Sequence, residues 1–338
     1  MKYIIAIMVL CVVSLLFLFA NDRGAETAAY PEMYPILKWK SKDIESAVRK
    51  YLNKPSGIIT AGELRGITDF CGGRADWWTI FINDHGYSLE SSLDNIEDLK
   101  YFTSLESITL NENHIKDASS LAKLTRLKLV TIEDEDDLEN VDFLSNLTKL
   151  EHVRISGRNI ANVPSLGKLK KLRSLYIARA NIGSDLSFLE GLNSLGYLFI
   201  WDCHIISLSK MPSLPKLREL DIIRNDFSSL EGLPTFPKLK TLNLSGNKIN
   251  SFVGMPNQPR LENFGIWGNN ISSLEDMPHF PRLTTLDLAD NDITDITPLL
   301  KFPFLKYVDL SDNKIKDLKP LKAKKGLKIE LDRKEYLP

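Results

Sequence analysis

The sequence predicts an α/β solenoid: a curved right-handed coil with a parallel β-sheet along its concave side and short 3-10 or extended segments along its convex side. Three observations predict it. A leucine recurs at Leu105, Leu127, Leu150, Leu172, Leu195, Leu217, Leu239, Leu261, Leu283 and Leu305, in steps of 22 or 23 residues. Each unit reads L-x-x-L-x-L-x-x-N-x-I, as from Leu283 to Ile293, so the leucines at slots four and six point inward from one short strand. Prolines three apart recur once per coil at Pro212 with Pro215, Pro234 with Pro237, Pro256 with Pro259, and Pro278 with Pro281. Proline removes a donor and fixes φ, so these outer segments are expected to be extended or single-turn 3-10 rather than α-helical.

Length alone, 338 residues with 43% hydrophobic content, suggests two or three domains. The period instead assigns most of the chain to one elongated array. One coil cannot bury its own leucines, and stacking at the parallel-strand spacing of about 4.8 Å lets neighbours share a core. A disordered or collagen-like chain is excluded. The 43 Lys and Arg against 44 Asp and Glu give a formal charge of −1, so no global field draws the chain to nucleic acid, and none is expected as a partner. Cys11, Cys71 and Cys203 form no CxxC pair, and the five histidines form no HExxH. No phosphate-binding glycine loop or GxSxG elbow appears. No metal, no cofactor and no catalytic activity are expected.

In chain order, residues 3–20 are apolar except for Ser14, close to the length that crosses a bilayer. Lys2 precedes the run, which predicts export of everything after it. Residues 1–20 therefore read as a signal peptide or an N-terminal membrane anchor, with membrane contact only through 3–20 and an extracytoplasmic location for the rest. Residues 21–40 read as a linker and 41–92 as an N-terminal cap with a first irregular repeat. There Ser41 N-caps a helix whose apolar face is Ile44, Ala47, Val48, Tyr51 and Leu52. Thr60 and Glu63 have capping-box spacing ahead of a second short helix with Leu64, Ile67 and Phe70. Residues 77–83 read as the first strand, with His85 in its Asn slot, and the Cys71-Gly72-Gly73 insertion fits no slot. Residues 93–320 are the repeats and 321–338 a capping repeat whose lysines discourage edge pairing.

These repeats resemble the leucine-rich repeat superfamily from about Leu93 to the C-terminus. The 22-residue length and the phrases from Asn291 to Leu299 and from Asn313 to Leu321 are similar to the bacterial internalin-like class. The stretch from Val48 to Thr60 is similar to the cap that precedes repeats in such proteins. The resemblance implies a surface built for protein contacts.

The slots define two sets of residues. The Asn slot predicts a buried amide ladder at Asn113, Asn225, Asn247, Asn269, Asn291 and Asn313, bonding loop backbone of adjacent coils. Glu135, Arg158 and Ala180 occupy that slot in their coils and are expected to interrupt the ladder, while Cys203 there reads as structural. Slots three, five and seven line the concave face. They place Tyr197, Phe199 and Trp201 outward on one strand, Tyr176 beside Phe199 and Ile223 beside Trp201, with Arg154, Arg179, Glu219, Asp221 and Arg224 around them. Clustered exposed aromatics with arginines have the composition of interface hot spots, so a protein partner is expected; a glycan stacked on the rings is the alternative. The acidic run from Glu133 to Asp137 reads as a solvated loop, with a divalent cation as its other reading.

Overall fold

The computed structural model describes residues 35–73, 93–322 and 324–332. Twelve strands lie in one sheet in sequence order, and every neighbouring pair is parallel. They are β1 Asp69–Gly73, β2 Ser107–Asn111, β3 Leu129–Glu133, β4 His152–Ser156, β5 Ser174–Ala178 and β6 Tyr197–Trp201. Then come β7 Glu219–Ile223, β8 Thr241–Asn243, β9 Asn263–Gly265, β10 Thr285–Asp287, β11 Tyr307–Asp309 and β12 Lys328–Glu330. The register is in phase with the leucine period: Leu175 pairs with Leu198, Leu198 with Leu220, and Leu220 with Leu242. All four are fully buried, so the period-two alternation sends one side chain into the core and the next onto the open face.

The convex path behaves as the proline positions predict. Turns of 3-10 type form in coils without the paired prolines, at Glu97–Tyr101, Ser119–Lys123, Asp142–Asn146, Leu186–Leu189 and Thr297–Lys301. The proline-bearing coils keep two isolated tight turns each, such as Met211 N–H to the Leu208 carbonyl at 2.9 Å and Leu217 N–H to the Leu214 carbonyl at 3.1 Å, with no 3-10 helix between them. Behind this path Phe252, Phe264, Phe280 and Phe302 pack edge-on or stacked with centroids 5.7 to 6.3 Å apart.

The N-terminal helix α1, Lys42–Tyr51, begins at Ser41, whose Oγ accepts from Ile44 N–H at 3.3 Å. Ile44 and Val48 are buried against the first coil. Asp98 of that coil, fully buried, accepts from the Lys40 and Ser41 N–H groups at 2.8 and 2.7 Å, so the helix start is bonded to the repeats and not merely packed on them. Thr60 and Glu63 form the expected box, with Thr60 N–H to Glu63 Oε2 at 2.8 Å, but the element it opens is a 3-10 turn, Glu63–Gly66.

The first strand is not where the slots predict it. Residues 77–83 and His85 lie outside the described residues, and the place beside β2 is taken by β1, which pairs Phe70 with Ile108. Phe70 therefore belongs to a strand and not to the second helix. It is buried and meets Phe102 edge-on at 5.9 Å, filling the inward slot that a leucine fills elsewhere. Cys71-Gly72-Gly73 is the end of that strand.

At the other end a short helix, α2 Lys319–Lys322, precedes β12, where Val308 pairs with Ile329. With no further coil described beyond β12, Ile329 is only partly buried and Leu331 is 43% exposed. Among the described residues no helix is long and apolar enough to cross a membrane; the apolar run 3–20 lies outside them.

The six slot asparagines do form a ladder. Asn225 Oδ1 accepts from Cys203 and Ile205 N–H of the preceding coil at 3.0 and 3.2 Å, while its amide donates to the carbonyls of Ile200 and Ile223. Asn113, Asn247, Asn269, Asn291 and Asn313 likewise accept from the coil before. Cys203 copies the donor half: its thiol points at the Trp201 and Ile177 carbonyls at 3.2 and 3.7 Å, and burial pushes its pKa up to about 12, so it is an inert packing residue. The expected interruption at Glu135 does not occur. Glu135 is fully buried, its carboxylate accepts from Asn113 N–H at 2.7 Å and Ile115 N–H at 3.3 Å, and the ladder continues through it. The break is confined to Arg158, which lies exposed, and Ala180, which is buried without a polar group.

The residue before each ladder position turns with positive φ, as at Glu112, Asp134, Arg179, Asp202 and Arg224. Gly157 is different. It approaches the coil before it so closely that a Cβ would stand 2.5 Å from the Glu135 carbonyl oxygen. Gly157→Ala is expected to lose ~1–3 kcal/mol in urea unfolding, because the obstacle is backbone and cannot swing away.

Candidate partner-binding face

Strands β4 to β7 bring the predicted residues onto one open surface. Tyr197, Phe199 and Trp201 alternate with buried Leu198 and Ile200, and all three are partly exposed. The in-phase register sets Tyr176 against Phe199 and Ile223 against Trp201, as the slots predict. The slots do not express how the rings meet. Tyr176 and Phe199 stack with centroids 4.6 Å apart and planes within 4°. The Arg154 guanidinium covers the other face of Tyr176 at 4.0 Å and bonds Glu133 at 2.8 Å. A continuous pile of carboxylate, guanidinium and two rings thus crosses β3 to β6.

The remaining predicted residues divide. Arg224 is exposed and sits 5.8 Å from the Trp201 ring. Arg179 pairs with Asp134, two coils back. Tyr197 donates from its hydroxyl to Asp221, and Glu219 lies beside it on β7. Burial, and after it the neighbouring Glu219 charge, pushes the Asp221 carboxyl up to about 7, partly offset by the Tyr197 hydrogen bond. Burial likewise raises the Tyr176 and Tyr197 phenols above their ordinary range.

Glu133 is the member of this surface that the slot reading assigns to a different feature. Arg154 is the register partner of Thr131, and Glu133, two residues further along β3, is its diagonal neighbour. The acidic run it begins does not act as a unit. Glu133 pairs with Arg154, Asp134 with Arg179, Asp136 with Arg158 at 3.8 Å and Asp137 with His114 at 3.0 Å, while Glu135 is inside the ladder. Among the described residues no three acidic, histidine or cysteine side chains converge as a cation site.

Leucine-rich repeat family models match residues 281–323, as two copies, and residues 237–251. No curated protein matches the chain in sequence. The crystal structure of an internalin from Listeria monocytogenes superposes with a TM-score of 0.70 at 25% identity, over 86% of this chain and 82% of the internalin. The chain carries leucine-rich repeats and is similar to the internalins in its fold. Two further structures share the fold at lower identity. TLR13, from a complex with ssRNA13, matches with a TM-score of 0.60 and 17% identity over 83% of this chain and 42% of the other. Toll, from the Toll–Spatzle complex of Drosophila, matches with a TM-score of 0.55 and 18% identity over 71% of this chain and 34% of the other. The distinguishing chemistry of this repeat array is the pile of side chains that crosses β3 to β6.

Proposed function

We propose that this chain is an exported, non-catalytic scaffold that holds a protein partner at the cell surface on the face carried by β4 to β7. The observation that carries the reading is the cluster of Tyr176, Tyr197, Phe199 and Trp201, four partly exposed aromatics on two adjacent strands with Ile223 on a third. Large rings with flanking arginines supply most of the energy in protein interfaces, and a solvated face gains nothing from them. Toll in its complex with Spatzle is a coil array of the same fold with a partner named beside it.

Tyr176 offers a glycan no stacking face, because one face is covered by Arg154 and the other by Phe199. Export rests on the apolar run 3–20 after Lys2.

The triple replacement Tyr197→Ala, Phe199→Ala, Trp201→Ala is expected to weaken capture of a partner from envelope extract by at least ~100-fold while leaving the far-UV circular dichroism unchanged. Wild-type capture by the triple variant would sink the reading. Ring-dependent binding on a polysaccharide array, with no protein captured, would replace it by the glycan one.

A further inference from the structure

We propose that the partner on this face presents an arginine, laid flat against the Phe199 ring and bonded to the carboxylates of Asp221 and Glu219. The inference rests on the reading of the face as a protein-binding surface and adds the chemistry of what is bound.

The ring pile has two ends. At the β4 end Arg154 covers Tyr176 and is held by Glu133. At the other end Phe199, parallel to Tyr176, turns its second face toward β7, where its register partner is Asp221. An aspartate side chain is too short to cover a phenyl ring. Glu219 lies two residues earlier on the same face of the strand, beside Tyr197. This end therefore has the ring face and the carboxylates of the first, but among the described residues neither Glu219 nor Asp221 has an ion pair.

The groups facing Asp221 supply no cation. From β6 come Tyr197 and Phe199, from β7 Glu219, and from β8 Thr241 and Asn243. Asn243 is already bonded to Ser245 Oγ at 2.5 Å. Two carboxylates on one strand face, half-buried beside the β6 rings, repel each other, and burial together with that repulsion raises the Asp221 pKa to about 7. A cation relieves both. Arginine fits better than lysine, because a planar guanidinium stacks on the ring and offers a fork of donors to two carboxylates; at the other end Arg154 already combines the ring contact with a bond to one carboxylate, Glu133.

A cationic partner binds best when Asp221 is ionised, so affinity rises with pH through the neutral range. The probe is a fluorescein-labelled hexa-arginine peptide, titrated into the full chain by anisotropy at pH 6 and pH 8, beside hexa-lysine and hexa-glutamate peptides. Hexa-arginine is expected to bind about tenfold tighter at pH 8 than at pH 6 and more tightly than hexa-lysine. Asp221→Asn is expected to abolish that pH dependence and to weaken binding at pH 8 about tenfold, with Glu219→Gln weakening it too. Glu275→Gln, an exposed carboxylate on another face, is the control expected to change nothing. Unchanged hexa-arginine binding in Asp221→Asn, or equal binding of hexa-glutamate, overturns the proposal. The two readings separate cleanly. If the aromatic triple variant loses its envelope partner but Asp221→Asn keeps both partner and peptide, the arginine falls and the face stands; if the triple variant keeps its partner, the face itself falls.

Discussion

Replacing Phe280 with alanine is expected to cost the fold ~3–5 kcal/mol and to loosen only its C-terminal third. Phe280 is fully buried, meets Phe264 edge-on at 5.7 Å and stacks on Phe302 at 6.1 Å, so truncation removes two ring contacts and opens a cavity between coils. In a stacked array each coil contacts only its neighbours, and the loss cannot be shared over the whole core. The coils downstream are also the less well covered ones, with Ile315, Leu318 and Ile329 partly exposed. Amide exchange should therefore accelerate in β9 to β12 while β2 to β6 keep their protection. Uniform acceleration across all strands would mean that the array unfolds as one unit, contrary to this expectation.

That locality also explains how much is legible in the sequence. A 22-residue ruler with in-phase parallel pairing makes column arithmetic sufficient to place neighbours, which is why the slots alone set Tyr176 beside Phe199 and Ile223 beside Trp201. The arithmetic fails where the ruler does. Phe70 and Ile108 are partners although their numbers differ by 38, so the slots look for the first strand too late in the chain. Columns are also silent about side-chain geometry. They do not say that Tyr176 and Phe199 lie parallel, nor that Arg179 pairs with Asp134 two coils away. A consensus letter hides chemistry in the same way. The pattern asks for asparagine, but the coil asks only for an oxygen that accepts two backbone N–H groups, and a glutamate meets that demand.

Substitutions at Glu135 test that demand directly. Glu135→Ala is expected to destabilise the protein by ~2–4 kcal/mol, because the Asn113 and Ile115 N–H groups stay buried with no acceptor. Glu135→Asn is expected to stay within ~1 kcal/mol of the wild type, since Asn225 serves the corresponding two N–H groups, 22 and 20 residues earlier, with one oxygen. Wild type and Glu135→Asn part company with pH. Desolvation, opposed by the Asn113 and Ile115 hydrogen bonds, raises the Glu135 carboxyl above its ordinary 4.5. The folded state therefore holds its proton longer than the unfolded chain. The stability this contributes is fully present below about 4.5 and is lost as pH climbs through the raised folded value. Wild type should lose ground to Glu135→Asn over that climb, measured as the difference in urea midpoints between pH 4 and pH 8. A difference that is flat, or that grows in favour of the wild type, would show that the three hydrogen bonds to the carboxylate outweigh its burial and that the ladder prefers the charge.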